Sequence, residues 1–583
     1  MKPIPAGRNL AFLLWLLPFS FLAVFYFFPL IKILGLSFSR GDGNSPWLEL
    51  AASESLRGVL WFTIWQAVIS TALTLLVGLP GAYVLARYDF RGKSLFRALT
   101  GVPFVMPTLV VAAGFNALLG PTGWANTLLI DWFNLAAPPI EFVNTLGAIL
   151  VAHVFYNLTI VLRLVGDFWA RLDPRLGNAA RVLGANRWHA FRRINLPLLM
   201  PAIAAAALLV FIFDFSSFAV ILLLGGPKFA TLETEIFYRA TALFDLPVAA
   251  ALATVQLLCT LALAVVYTRL SARIARPMTQ RSQGAVQRPL PKILIRKPGN
   301  QETKKCLFLP ACFPYGILAF ILLFTALPLF ALAARSFVNL SPEQTRTGEM
   351  ARGVTLAFYA ALLGDAPTPG TAAPPWVALA VSLGYAAATV GLALLLGLPA
   401  AWSLAPARSS RLNRLLDPII MLPLGTSAVT LGLGFIVALN RPPLDLRASP
   451  LLIPLAHTLV AFPFVVRSLT PALQSIQPGL RRAAAMLGAA PAQVVRYVDL
   501  PLVGRALLVA ATFAFTISLG EFGATSLIAR PEYPTVPVAI YRLLGRPGAL
   551  NYGQGLALST ILMVVTAGGM ILIERWRVGE GEF

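Results

Sequence analysis

The sequence predicts an all-α, polytopic membrane protein of about twelve transmembrane helices, arranged as two parallel pseudo-repeats of six. Three observations lead there. The chain has 583 residues, 58% of them hydrophobic and only 12% charged, which is too apolar for a water-soluble surface. Apolar runs of about 20 residues, the length that crosses a bilayer as a helix, recur from end to end. One basic, amphipathic segment also occurs twice, in register, once in each half.

The apolar runs lie near 10–37, 59–86, 99–119, 144–165, 198–223, 249–269, 307–334, 376–404, 417–439, 449–470, 504–529 and 552–573. The first is too long for the apolar region of a signal peptide, and no small-residue cleavage site follows it, so it reads as a retained helix. Gly78-Leu79-Pro80 and Gly397-Leu398-Pro399 read as the ends of the second and eighth spans. Each half, 1–270 and 306–583, holds six runs. An even number brings both halves into the membrane from the same side, as parallel repeats.

Residues 271–305 join the halves. The stretch is basic, with Glu302 as its one acid, and Pro277, Pro289, Pro291 and Pro298 interrupt any helix. It reads as a mobile cytoplasmic linker. Of the opposite loops, 336–375 is the longest, and its Asp365-Ala-Pro-Thr-Pro-Gly end argues against a compact extra domain.

The net charge is +22. With the N-terminus inside, the basic excess falls in the cytoplasmic connections, as the positive-inside rule requires. Both termini then read as cytoplasmic, and the chain reads as a multi-pass membrane protein. The charge reads as topology and attraction to anionic headgroups of the lipid bilayer, not as a nucleic-acid surface. Cys259, Cys306 and Cys312 form neither a disulfide framework nor a metal spacing.

The repeated segment runs from Asp173 to Ile203 and from Gln477 to Leu507, without a gap, at an offset of 304. Ala179/Ala483, Ala180/Ala484, Gly184/Gly488, Leu196/Leu500 and Pro197/Pro501 are identical pairs. His153/His457 and Phe218/Phe522 share that offset, and Pro103/Pro423 match at 320. Locally the segment predicts a helix from Asp173-Pro174 to Leu183, a stop at Gly184, a second basic helix to Ile194, and a break at Leu196-Pro197. The product is a helical hairpin held on one membrane face.

These residues resemble the cytoplasmic loop of membrane subunits in binding-protein-dependent ABC importers. That loop reads Glu-Ala-Ala, three residues, Gly, nine residues, Ile, one residue, Leu-Pro. Here it is Asn178-Ala179-Ala180, Gly184, Ile194, Leu196-Pro197, and again Arg482-Ala483-Ala484, Gly488, Val498, Leu500-Pro501. Asn178 and Arg482 replace the usual Glu, so shape rather than an acidic contact carries recognition. The resemblance implies a type I ABC importer permease fold, with coupling loops at 166–197 and 471–503. The fused layout, and the segment Phe218 to Ala240 in particular, is similar to permeases of thiamine and ferric-iron importers. It further implies two copies of a cytoplasmic ATP-binding subunit, which bind ATP and Mg, and a periplasmic or extracellular substrate-binding protein. This chain would bind no cofactor and hydrolyse nothing. Gly92-Lys93-Ser94 lacks the earlier glycine of a phosphate loop, with Arg87 in its place. The runner-up reading is a twelve-helix secondary transporter independent of an ATPase; the repeated loops argue against it.

Two acids, Asp214 and Glu521, fall inside predicted spans. A charge there costs roughly 2.5–3.5 kcal/mol unless it is paired or wet. In the repeat alignment Asp214 matches Ser518, and Ser217 matches Glu521. These four residues could line a central pathway for a cationic substrate such as thiamine or ferric iron; the alternative is pairing for packing. His153 and His457 read as helix-to-helix hydrogen-bonding residues rather than metal ligands. Pro103 and Pro423, with Pro107, read either as kinks beside the pathway or as tolerated prolines.

Overall fold

A computed structural model of the chain describes residues 15–578, apart from 39–44, 275–287, 290–307, 340–342, 346–347, 351–352, 366, 368–371, 406–410 and 443. Among the described residues ten helices are long and apolar enough to cross a membrane. In the first half they are Trp15–Leu36, Glu54–Arg87, Leu146–Arg171, Trp188–Phe215 and Leu246–Leu270. In the second they are Phe313–Ser336, Pro375–Leu404, Leu452–Ser475, Pro491–Gly520 and Ala549–Ile573.

The third and ninth spans are broken rather than continuous. Lys93–Val105 meets Thr108–Phe133 at 104°, and Leu416–Gly425 meets Ala428–Ala438 at 97°; counting each pair once gives twelve spans. Pro103 sits inside its helix, and the chain breaks after it at Met106-Pro107, both extended. A residue before proline is pushed out of the helical region. Pro423 lies in a tight 3-10 turn, and the break follows at Thr426-Ser427. Ser427 Oγ then accepts the Val429 and Thr430 N–H groups and restarts the helix.

Other boundaries also move. The second and eighth spans do not end at their Gly-Leu-Pro triplets; they run on to Arg87 and Leu404 with Pro80 and Pro399 inside. The glycines serve close packing instead. A Cβ added at Gly78 would lie 2.7 Å from Val161, and one at Gly397 would lie 2.5 Å from Val465, the matching pair. The fifth and eleventh spans stop early, at Phe215 and Gly520. Each is followed by a short turn of helix, Ile221–Gly225 or Gly523–Ile528, and then a short helix, Leu232–Thr241 or Val536–Leu544.

The first span of each half packs on the other half. Tyr26 shares a 2.7 Å hydrogen bond with the Thr426 hydroxyl, and Trp124 Nε1 donates to the Ala331 carbonyl at 3.3 Å. Helices in lipid associate through close packing, which small residues permit. A Cβ at Gly114 would come within 2.9 Å of the Pro328 carbonyl oxygen; one at Gly434 would come within 2.9 Å of Pro29. The two halves are therefore interlocked at equivalent points.

Within the joining segment, Arg288–Pro289 pairs in parallel with Tyr88–Asp89. The rest, and with it the expectation of a mobile linker, lies almost wholly outside the described residues. In the 336–375 loop, Val338–Asn339 pairs with Gly353–Val354 and Glu343–Thr345 with Gly348–Met350. The helix Ala357–Leu362 follows, its Phe358 buried against Gly553.

Candidate functional site

Both repeated loops fold as helical hairpins at the same end of their spans. The first arm is Pro174–Val182 in one copy and Pro478–Met486 in the other. Proline at the first helical position forfeits no hydrogen bond, and Asp173 accepts the Arg175 N–H at 2.8 Å. Each arm stops at glycine, with φ of +89° at Gly184 and +86° at Gly488. Any side chain there would be strained. The next N–H, of Ala185 or Ala489, returns to the carbonyl of Ala180 or Ala484, which closes the helix end.

The second arm differs from expectation. It does not break at Leu196-Pro197 or Leu500-Pro501. It passes through a π turn, Phe191–Asn195 or Val495–Asp499, directly into the span. Proline lacks an N–H and its ring crowds the carbonyl one turn back; a widened turn at that place accommodates both. Loop and span are thus one continuous helix in each half.

The hairpin tips are apolar and bare. Val182 and Leu183 are each 87% exposed, Met486 83% and Leu487 89%. Large apolar side chains exposed at two equivalent tips are candidates for a contact surface. Asn178, Ala179, Arg482 and Ala483 are exposed beside them, with Ala180 and Ala484 half-buried. The copies are not identical. Arg481 donates to Asp499 at 2.7 Å in the second loop, where the first has Gly177 and Asn195.

At the far ends of the same two spans lie the buried acids. His153 Nδ1 bonds Ser70 at 2.9 Å and stands 3.5 Å from Asp214; its Nε2 bonds Ser217 at 2.9 Å. His457 Nδ1 bonds Ser518 at 2.8 Å; its Nε2 bonds Thr525 at 2.8 Å and stands 3.3 Å from Glu521. Each histidine therefore bridges the same two repeat positions, with acid and hydroxyl exchanged between halves. Asp214 also accepts from Asn157 at 2.7 Å, and its Oδ2 is buried without a hydrogen bond. Glu521 is better held. It lies beyond the end of its span and caps the next helix, accepting from Ala524 N, Thr525 N and Thr525 Oγ1. Both carboxylates are buried within these nodes rather than facing open space. A third buried acid, Glu233, accepts from Gln256 at 3.2 Å.

Between the nodes the halves meet through aromatic rings. Phe218 stacks on Phe522, its repeat equivalent, at 5.6 Å and 19°. Phe237 packs on Phe218 at 5.2 Å and Tyr541 on Phe522 at 5.4 Å, again equivalent positions. Tyr541 also borders a cavity of about 620 Å³ on the face opposite the loops, lined by Asn116, Leu222, Arg542 and Arg546 among others. Sequence reading missed Ser70, Asn157, Glu233, Phe237 and Tyr541. The repeat offset pairs Phe237 with Tyr541, so that pair was within its reach.

The family match agrees with the two-repeat layout. A family model described as the binding-protein-dependent transport system inner membrane component matches twice, over residues 78–276 and 393–575. The thiamine transport system permease protein ThiP of Brucella abortus (strain 2308) is 28% identical, over 98% of this chain and 95% of that one. ThiP of Escherichia coli (strain K12) is 27% identical, over 86% and 87%. The spermidine/putrescine permease PotB of Haemophilus influenzae (strain ATCC 51907 / DSM 11121 / KW20 / Rd) is 34% identical over 36% of this chain and 76% of its own length. A chain of a bacterial alginate ABC transporter, solved with a pentasaccharide-bound periplasmic protein, aligns over 44% of this chain and 92% of its own, with 19% identity and a TM-score of 0.38. Matched in both halves, the chain belongs to the binding-protein-dependent transport system inner membrane component family, as a fused two-domain permease of an ABC importer.

Proposed function

We propose that this permease is the translocation subunit of an ATP-driven importer whose substrate is thiamine. Its hairpins, in this reading, dock on two copies of a cytoplasmic ATP-binding subunit, one each, and both chain termini lie on that side. ATP and Mg stay with that partner. A soluble binding protein delivers substrate on the opposite face. Asn178 and Arg482 stand where the family has Glu, so the apolar tips and the glycine turns carry the contact. The observation that supports this most strongly is the pair of bare tips, each continuous with a span that ends at a buried node.

The mechanics follow from that continuity. A helix of 20 residues is about 30 Å long and stiff. When the ATPase pair closes on ATP, each hairpin moves with its partner and carries its span with it. The far ends, Asp214 to Phe218 and Ser518 to Phe522, then shift against each other, and the cleft between the halves changes the side to which it opens. Thiamine is favoured over iron because relatives matched over most of their length are named as thiamine permeases.

Reconstitution tests it. Proteoliposomes holding this permease, its ATP-binding subunit and the binding protein should accumulate labelled thiamine with ATP. Accumulation should vanish without ATP, and without the binding protein. Uptake that persists without any ATPase would sink the proposal.

A further inference from the structure

We propose that the Phe218–Phe522 pair is a station for the substrate where the two halves of the permease meet, and that it opens to sandwich a planar aromatic cation. This rests on the importer reading above and names the substrate class from the site itself.

Three features carry it. The first is position. Phe218 and Phe522 are repeat equivalents in mutual contact, so they sit where the two halves face each other. Rocking of the halves against each other changes their separation. The second is chemistry. Phe237 and Tyr541 extend the pair to four rings. Of the acids buried among the described residues, namely Asp214, Glu233, Asp499 and Glu521, three are close to the ring residues in sequence. Glu521 directly precedes Phe522; Asp214 and Glu233 lie four residues before Phe218 and Phe237. Ring faces attract a cation, the more so away from water. The third is access. The 620 Å³ cavity reaches Tyr541 from the face opposite the loops. Arg542 and Arg546 line the same cavity.

The geometry suits a flat ligand. The two ring centroids are 5.6 Å apart in offset contact, and a flat ring is about 3.5 Å thick in stacked contact. Two phenyl faces holding one planar ring between them need a separation of about 7 Å, a displacement within reach of a small domain rotation. The stacking lost between the phenyl rings is then replaced by two faces of ligand. A hard cation such as ferric iron prefers oxygen donors, and four rings offer it one phenol.

The test uses the complete complex of permease, ATPase and binding protein in proteoliposomes. F218L/F522L keeps an apolar seal but removes both ring faces. Thiamine delivered per ATP hydrolysed should fall at least about tenfold, while F218Y/F522Y should stay within about twofold. A leucine pair that matches the parent, or a tyrosine pair that fails equally, would overturn the proposal. A second arm is independent of thiamine. F522W places an indole in the pair. Its emission, as the difference from the parent complex held with ATP and vanadate, should be quenched at least about twofold by N-methylpyridinium and not by tetramethylammonium. Equal effects of the two cations, or no quenching, would overturn the station. If the parent moves no thiamine but the quenching is selective, the substrate named under the importer reading is wrong and the station stands.

Discussion

The two halves are copies in outline and differ at their buried acids. In the first, Asp214 lies on the Nδ1 side of His153 and leaves one oxygen without a hydrogen bond. In the second, Glu521 lies on the Nε2 side of His457 and engages both oxygens, capping a helix. One architecture thus holds a carboxylate at either of two repeat positions, provided a histidine and a hydroxyl take the others. A buried, under-satisfied oxygen costs free energy, so the first node is the weaker. The loops differ in the same sense: Arg481–Asp499 ties the second hairpin to its span, where Gly177 and Asn195 make no such tie.

The largest effect should come from erasing what the halves share. G184R with G488R puts a long side chain on backbone at φ near +89° and +86° and distorts both tips. ATPase recovered by co-purification should drop at least about tenfold, the loss of one strong contact or more; either single variant should lose less. Next comes the contrast between the acids. E521Q removes the charge from three capping hydrogen bonds and should destabilise the permease by about 1.5–3 kcal/mol; D214N should cost less than about 1 kcal/mol. Detergent melting temperatures should follow that order, and the reverse order would refute the comparison. Hydroxyl removal comes third. S70A strips His153 of a direct partner, while T389A touches His457 through Ser518 alone. S70A should cost about 1 kcal/mol and T389A less, again read by melting. Smallest is R481G with D499N, which gives the second loop the Gly177 and Asn195 of the first and leaves no buried carboxylate unpaired. Arg481 is one-third exposed, so the loss should be on the order of 1 kcal/mol or less, with faster proteolysis of the second loop toward that of the first.

Much of this was legible in the sequence. Twelve apolar runs and a gapless repeat imply two six-span halves, and Gly184 with Gly488 marks the turn of each hairpin. Periodicity could not place what depends on three dimensions. Pro103 and Pro423 signal a bend, but a 104° break depends on whether neighbours can satisfy the freed backbone. Leu196-Pro197 reads as a stop because proline ends most helices; a π turn just before it rescues continuity, and no residue pattern announces that turn. Glu521 reads as a buried charge in a span, whereas its partners are the N–H groups of the next helix. Asn157, Ser70 and Gln66 lie on other spans from Asp214 and meet it or its histidine only through packing.

The central claim is that one docking surface is presented twice to a two-fold ATPase. Site-directed crosslinking tests it most directly. V182C and M486C are introduced one at a time, with Cys259, Cys306 and Cys312 replaced by serine. The account predicts that each tip crosslinks to the ATPase in the assembled complex, at similar yield, and that ATP changes both yields together. Crosslinking of neither tip, or of one tip alone, would contradict it.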